Sequence, residues 1–182
     1  MVICCCHKGK LLPFVRGENL DDFLELLDDI ELLISFNGSS FDVPQLLDLW
    51  HIPALPCPHI DLRWVCYHCE LRGGLKAIEQ QLTIDRPPDL AGLDGADAVW
   101  LWERYRETDD EAARAQVIRY CAADVVTLQL VAAEALRLKG FDIVTPSADA
   151  LWRLLDGFAA PPSRQPVLSQ RSRLLRERLA AF

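Results

Sequence analysis

Every stretch that reads as a β-strand lies in the first third of the chain, and nearly everything after it has helical periodicity. Met1–His7 and Leu11–Arg16 are apolar runs joined by Lys8–Gly9–Lys10, the layout of a hairpin. Glu31–Phe36 is a third apolar run, ending in the polar turn Asn37–Gly38–Ser39–Ser40, and His59–Leu62 is a short fourth. One helix separates the second and third runs: Leu20, Phe23, Leu24, Leu26 and Leu27 fall at helical spacing within Leu20–Ile30. A short helix is expected over Val43–Trp50. Beyond the connector marked by Pro53, Pro56 and Pro58, helices are expected over Asp61–Leu71, Leu75–Leu82 and Ala96–Arg106. The longest, Asp109–Lys139, is closed by Gly140, and Ser147 can cap one more. Strands first and helices after give an α/β layout.

The 182 residues suit one domain with a short tail: residues 1–162, then the arginine-rich 163–182 after Pro161–Pro162. No apolar run approaches the roughly 18 residues of a membrane span, and His7, Lys8 and Gly9 interrupt the apolar N-terminus too early for a signal peptide. The cytoplasm is therefore the expected compartment. Seven cysteines, three of them consecutive at Cys4–Cys6, argue for reduced thiols rather than a disulfide framework. The net charge is −8. The tail holds Arg164, Arg171, Arg173, Arg176 and Arg178 against Glu177, so it carries +4 and residues 1–162 carry −12. A body this acidic excludes binding nucleic acid by broad counterion release and leaves only local contacts.

Two patterns carry potential chemistry. Asn37–Gly38–Ser39–Ser40–Phe41–Asp42–Val43–Pro44 is a strand end, a turn, and an acid at a helix start, where an aspartate can simply cap. Tyr120 and Asp124 are four apart in the long helix, so hydroxyl and carboxylate share one face, whether solvated or functional.

Order and context add more. Phe14–Val15–Arg16–Gly17–Glu18–Asn19–Leu20, Ser35–Phe36–Asn37–Gly38, Phe41–Asp42–Val43–Pro44 and His59–Ile60–Asp61–Leu62–Arg63 follow one another. Gly73–Gly74–Leu75–Lys76 with Ile78–Glu79, Asp97–Ala98 with Leu101–Trp102, and Tyr120 with Asp124–Val125–Val126 continue the series. Over Leu11–Leu136 the chain resembles the YprB-like branch of the ribonuclease-H-like exonucleases, the DEDDy type. The resemblance implies a mixed sheet flanked by helices and a metal-dependent 3′–5′ exonuclease acting on DNA or RNA. Such enzymes hold two Mg2+ or Mn2+ ions, about 3.5–4 Å apart, on four carboxylates. It implies that Asp42 and Asp124 are metal ligands and that Tyr120 orients the attacking water, with Asn37, Phe41 and Lys76 as substrate contacts. The family's first strand, central in the sheet and bearing Asp–x–Glu, has no counterpart before Val2. The chain is accordingly expected to lack two of four carboxylates, to bind metal weakly, and to be inactive in this form. The alternative is a non-catalytic scaffold that binds nucleic acid or a protein partner.

Other features stay open. Cys57, His59, Cys66, His68 and Cys69 have zinc-like spacing, although Cys66 and Cys69 fall on an expected helix, and His59 and Asp61 suit capping of the short strand. Gly73–Gly74–Leu75–Lys76 fits a phosphate-facing turn or a plain one. Trp100, Trp102 and Tyr105 fit core packing better than base stacking. The stripe Leu174, Leu175, Leu179 and Phe182 within Leu168–Phe182 suggests a mobile or partner-binding helix.

Overall fold

The computed structural model describes residues 1–165 and 169–181; Leu168 and Phe182 of the tail stripe lie outside them. The chain opens with the hairpin β1 (Val2–His7) and β2 (Lys10–Val15), antiparallel in the register Val2↔Val15 to His7↔Lys10. Lys8 and Gly9 both have positive φ, 49° and 72°, as a two-residue type I′ turn requires. After α1 (Leu20–Asp29) comes β3 (Leu33–Ser35), which pairs in parallel with β4 (His59–Asp61) across α2 (Asp42–Trp50).

The remainder is helical: α3 (Leu62–His68), α4 (Leu75–Gln81), α5 (Gly95–Thr108), α6 (Glu111–Leu138), α7 (Ala148–Asp156) and α8 (Gln170–Ala180). Side chains fix several starts. Asp94 forms a capping box with Asp97, and Asp110 and Ser147 accept backbone N–H groups at the starts of α6 and α7. A single 3₁₀ turn at Pro88–Leu90 precedes α5.

The four strands do not make one sheet. They form two separate pairs, β1–β2 and β3–β4. Both pairs are nevertheless layered between the same helices. On one face Ile3, Cys5, Phe14 and Leu33 pack with Leu24 and Leu27 of α1. On the other, Cys4, Cys6 and Leu11 meet Ala122, Ala123 and Val126 of α6, and Phe36 after β3 packs with Val131 of the same helix. Alternation along β1 thus serves two cores, as a strand covered on both faces requires. Among the described residues each of the four strands keeps one edge that pairs with no strand, those of β1 and β3 included.

Helix α6 is the central post. It buries Val117, Ile118, Ala122, Ala123, Val126, Val131 and Ala135 on several sides, and Arg114, 1% exposed, anchors it. The Arg114 guanidinium grips Glu18 through Nε at 2.8 Å and Nη2 at 2.6 Å, and donates to the Pro161 carbonyl at 2.6 Å. One buried ion pair therefore ties the turn before α1 and the linker after α7 to the post.

Two expectations are corrected. Trp100 is 56% exposed beside Arg104, while Trp102 and Tyr105 alone join the cluster around Leu101. The tail does not stand free. Helix α8 lies on α1, with Leu175 in the α1 core cluster. Arg164 pairs with Asp22, Arg171 with Asp28 and Asp29, Arg176 with Asp21, and Arg178 with Asp28. The acidic face of α1 is the partner of the basic tail. Among the described residues no helix is long and apolar enough to cross a membrane.

Candidate active site

Asp61, at the end of β4, builds the entrance to the site. It is 7% exposed, and its carboxylate accepts three backbone N–H groups: Asn37 at 2.7 Å, Ser39 at 3.0 Å and Arg63 at 3.0 Å. One buried acid thus holds the Asn37–Ser39 turn against the start of α3. The turn is tight. Asn37 sits at φ 61°, and a Cβ on Gly38 would stand 2.1 Å from Ser35 Oγ. Ser35 Oγ and His59 Nε2 are 2.7 Å apart and close the turn from below. Asp61 thus caps α3, while His59 hydrogen-bonds to Ser35 across the strand pair.

The turn delivers Phe41, 62% exposed, and Asp42, the first residue of α2. The Asp42 carboxyl is pushed up to about 6 by the protein around it, by the nearby Asp61 carboxylate, and by Asp124. Asp42, Asp61 and Asp124 therefore lie within electrostatic reach of one another, although 82 positions of sequence separate the outer two.

Asp124 and Tyr120 reach the same place from one face of α6. Cys4 of β1 and Cys121 of α6 also feel the Asp124 charge, Cys121 that of Asp42 as well, and burial holds both thiols up, Cys121 to about 12. Asp42 and Asp124 therefore both lie near Cys121 of α6, and Asp124 also lies near Cys4 of β1. Tyr120 is 7% exposed. Burial raises its phenol, and the Asp124 charge raises it further.

The sequence reading missed the residue that dominates this spot. Arg86, from the loop after α4, donates through Nη2 to Asp124 Oδ1 at 2.5 Å. Its Nε lies 3.0 and 3.1 Å from the two oxygens of Glu79. Arg86 and Glu79 side chains are each 5% exposed. Burial works against the guanidinium charge, but the bonds to Glu79 and Asp124 outweigh it. Lys76 Nζ stands 4.0 Å from Asp124 Oδ1 and 4.8 Å from the Tyr120 ring centre, with Arg86 5.6 Å from that ring. Burial, then the Arg86 charge, lowers the Lys76 ammonium. Lys76 thus stands beside both Asp124 and Tyr120. Glu79 appeared in the sequence only within the motif text, and nothing local marked Arg86.

These commitments bear on metal binding. Glu79 is taken by Arg86, Asp61 by three backbone donors, and Asp124 by Arg86 and Lys76. Asp42 and Asp61 have no cation on them in these contacts. Among the described residues no group of three or more histidines, cysteines or acids is arranged to hold an ion. Two divalent ions do not fit the residues as they stand, because Mg2+ needs concentrated uncompensated oxygen charge. The zinc-like residues do not meet either. Cys57 packs in the α1 cluster and Cys66 in a separate one with Ile78 and Val131.

The RNase_H_2 family model, described as RNase_H superfamily, matches residues 15–136, about two thirds of the chain. No curated protein and no solved structure matches it.

Proposed function

The chain belongs to the ribonuclease H superfamily, and we propose that within it this is a YprB-like, DEDDy-type 3′–5′ exonuclease domain for DNA or RNA. The observation that carries the reading is the convergence of Asp42, from the turn after β3, with Asp124 and Tyr120, from one face of α6. In this reading Asp42 and Asp124 are two of four carboxylates, and Tyr120 orients water at the terminal phosphodiester. Lys76 meets a phosphate, and Asn37 and Phe41 line the approach of the strand. The other two carboxylates would arrive on a strand paired between β1 and β3, whose outer edges pair with no strand among the described residues. Only then would Mg2+ or Mn2+ have enough oxygen charge to displace Lys76 and Arg86 from Asp124.

The second reading is a non-catalytic scaffold, and Arg86 is the observation that favours it. A built-in guanidinium already neutralises the carboxylate that a metal would need. Incubation of a 5′-labelled single strand with Mn2+ separates the readings. Trimming from the 3′ end that Asp124→Asn abolishes supports the exonuclease in full. Binding without trimming supports the exonuclease reading where it requires a free 3′ hydroxyl, and the scaffold where it does not. With neither binding nor trimming, the exonuclease reading fails and the scaffold is left only a protein partner.

A further inference from the structure

Resting on the nucleic-acid reading above, we propose that the outer face of α3 is a stacking track that leads single-stranded DNA or RNA to the site. Helix α3 is held by its inner residues, Leu62 at 6% and Cys66 at 0% exposure. Its outer face carries Trp64 and Tyr67, 54% and 52% exposed and three residues apart. Residues three apart on a helix are surface neighbours, about 5–6 Å between Cβ atoms. Two large aromatic side chains left in water, and not needed by the core beneath them, mark a surface built for a ligand.

The cations point to the kind of ligand. The Arg63 guanidinium lies 5.9 Å from the Trp64 ring centre, and that of Arg72 lies 3.6 Å from Tyr67. Arg72 is fixed there by the Tyr67 carbonyl at 2.7 Å and Glu70 at 2.8 Å, the one acid of the face. The His68 ring meets Tyr67 edge-on at 5.8 Å. Aromatic and basic groups therefore alternate on a chain whose overall charge is −8. Unpaired bases offer π faces to the rings, and their backbone offers phosphates to the guanidinium groups. A base-paired duplex offers only the phosphates. The track also joins the site directly. Arg63 Nη1 donates to Asn37 Oδ1 at 2.5 Å, and its backbone N–H binds Asp61, which holds the turn in front of Asp42.

The test is fluorescence anisotropy of a labelled oligothymidylate titrated with the full chain in EDTA, so that cutting plays no part. Trp64→Ala and Tyr67→Ala should each weaken binding about tenfold. Trp64→Phe should keep most of it, because a ring remains. Phe141→Ala, an exposed aromatic after α6, should change nothing, and bound strand should quench tryptophan emission. If both alanine variants bind as tightly as the unaltered chain, the track is refuted while the 3′-end reading stands. Duplex binding as tight as single-strand binding also refutes it. Absence of any binding by the unaltered chain overturns the track and the functional reading together.

Discussion

Replacing Asp61 by alanine tests how the site is assembled. The substitution strands the N–H groups of Asn37, Ser39 and Arg63, which share one buried carboxylate. Hydrogen bonds to a charged acceptor contribute about 1.5–3 kcal/mol each. Ser39 and Arg63 are exposed and Asn37 half-buried, so water replaces part of what is lost, and about 1 kcal/mol per donor is the appropriate figure. The expected cost is therefore about 3 kcal/mol. For a domain of this size about 1 kcal/mol shifts Tm by roughly 2–4 °C, which gives a fall of about 6–12 °C. The milder Asp61→Asn change keeps one acceptor oxygen, and about half the loss is expected. The assay is thermal and urea unfolding followed by circular dichroism. Either substitution should also let the Asp42 carboxyl fall from about 6, because the Asp61 charge is one cause of its rise. A Tm change under about 2 °C for Asp61→Ala would refute the claim that Asp61 organises the turn.

Arg86→Met should cost about 3–5 kcal/mol in urea unfolding, since it leaves Glu79 buried without its partner; the Arg86→Met, Glu79→Met double variant should recover most of that. Equal costs for the single and double variants would contradict the pairing. Asp42, whose folded carboxyl titrates near 6 against an ordinary value of 3.8, favours its protonated form in the fold. That stabilisation is complete below about pH 4 and is lost as pH rises through about 6. Asp42→Asn should therefore flatten the fall in Tm over that window and raise Tm at neutral pH; an unchanged pH profile would show that Asp42 is ordinarily solvated. For the tail, Leu175→Ala should lower stability by about 2–3 kcal/mol, whereas Arg178→Ala, an exposed pair with Asp28, should cost less than about 0.5 kcal/mol. The reverse order would mean that charge alone holds α8.

The parts legible in the sequence were those written locally. Lys8–Gly9 between two apolar runs specifies the hairpin, and Ser147 and Gly140 mark the helix ends they occupy in the structure. The Asn37–Asp42 and Tyr120–Asp124 patterns were readable because each lies within one turn of chain. What was not readable depends on partners far apart in sequence. Arg86 sits in a loop with no periodicity, and its significance comes from Asp124, 38 residues on. The tail arginines looked like an arm for another molecule because their acids, Asp21, Asp22, Asp28 and Asp29, lie about 140–155 residues earlier. Trp100 illustrates the limit of composition. A tryptophan beside Leu101 and Trp102 on one helix suggests core, yet it faces water, and only the neighbours of α5 decide that.

In the proposed reading Asp42, Lys76, Tyr120 and Asp124 form one site for a nucleic-acid 3′ end. The most direct measurement is the pattern of amide shifts in the 15N-labelled chain on adding a short single strand with a free 3′ hydroxyl. The expected changes cluster at Asn37–Asp42, at Lys76 and at Tyr120–Asp124, and weaken when the 3′ end is blocked by a bulky group. Shifts confined to α1 and α8, or none at saturating strand, would contradict the account.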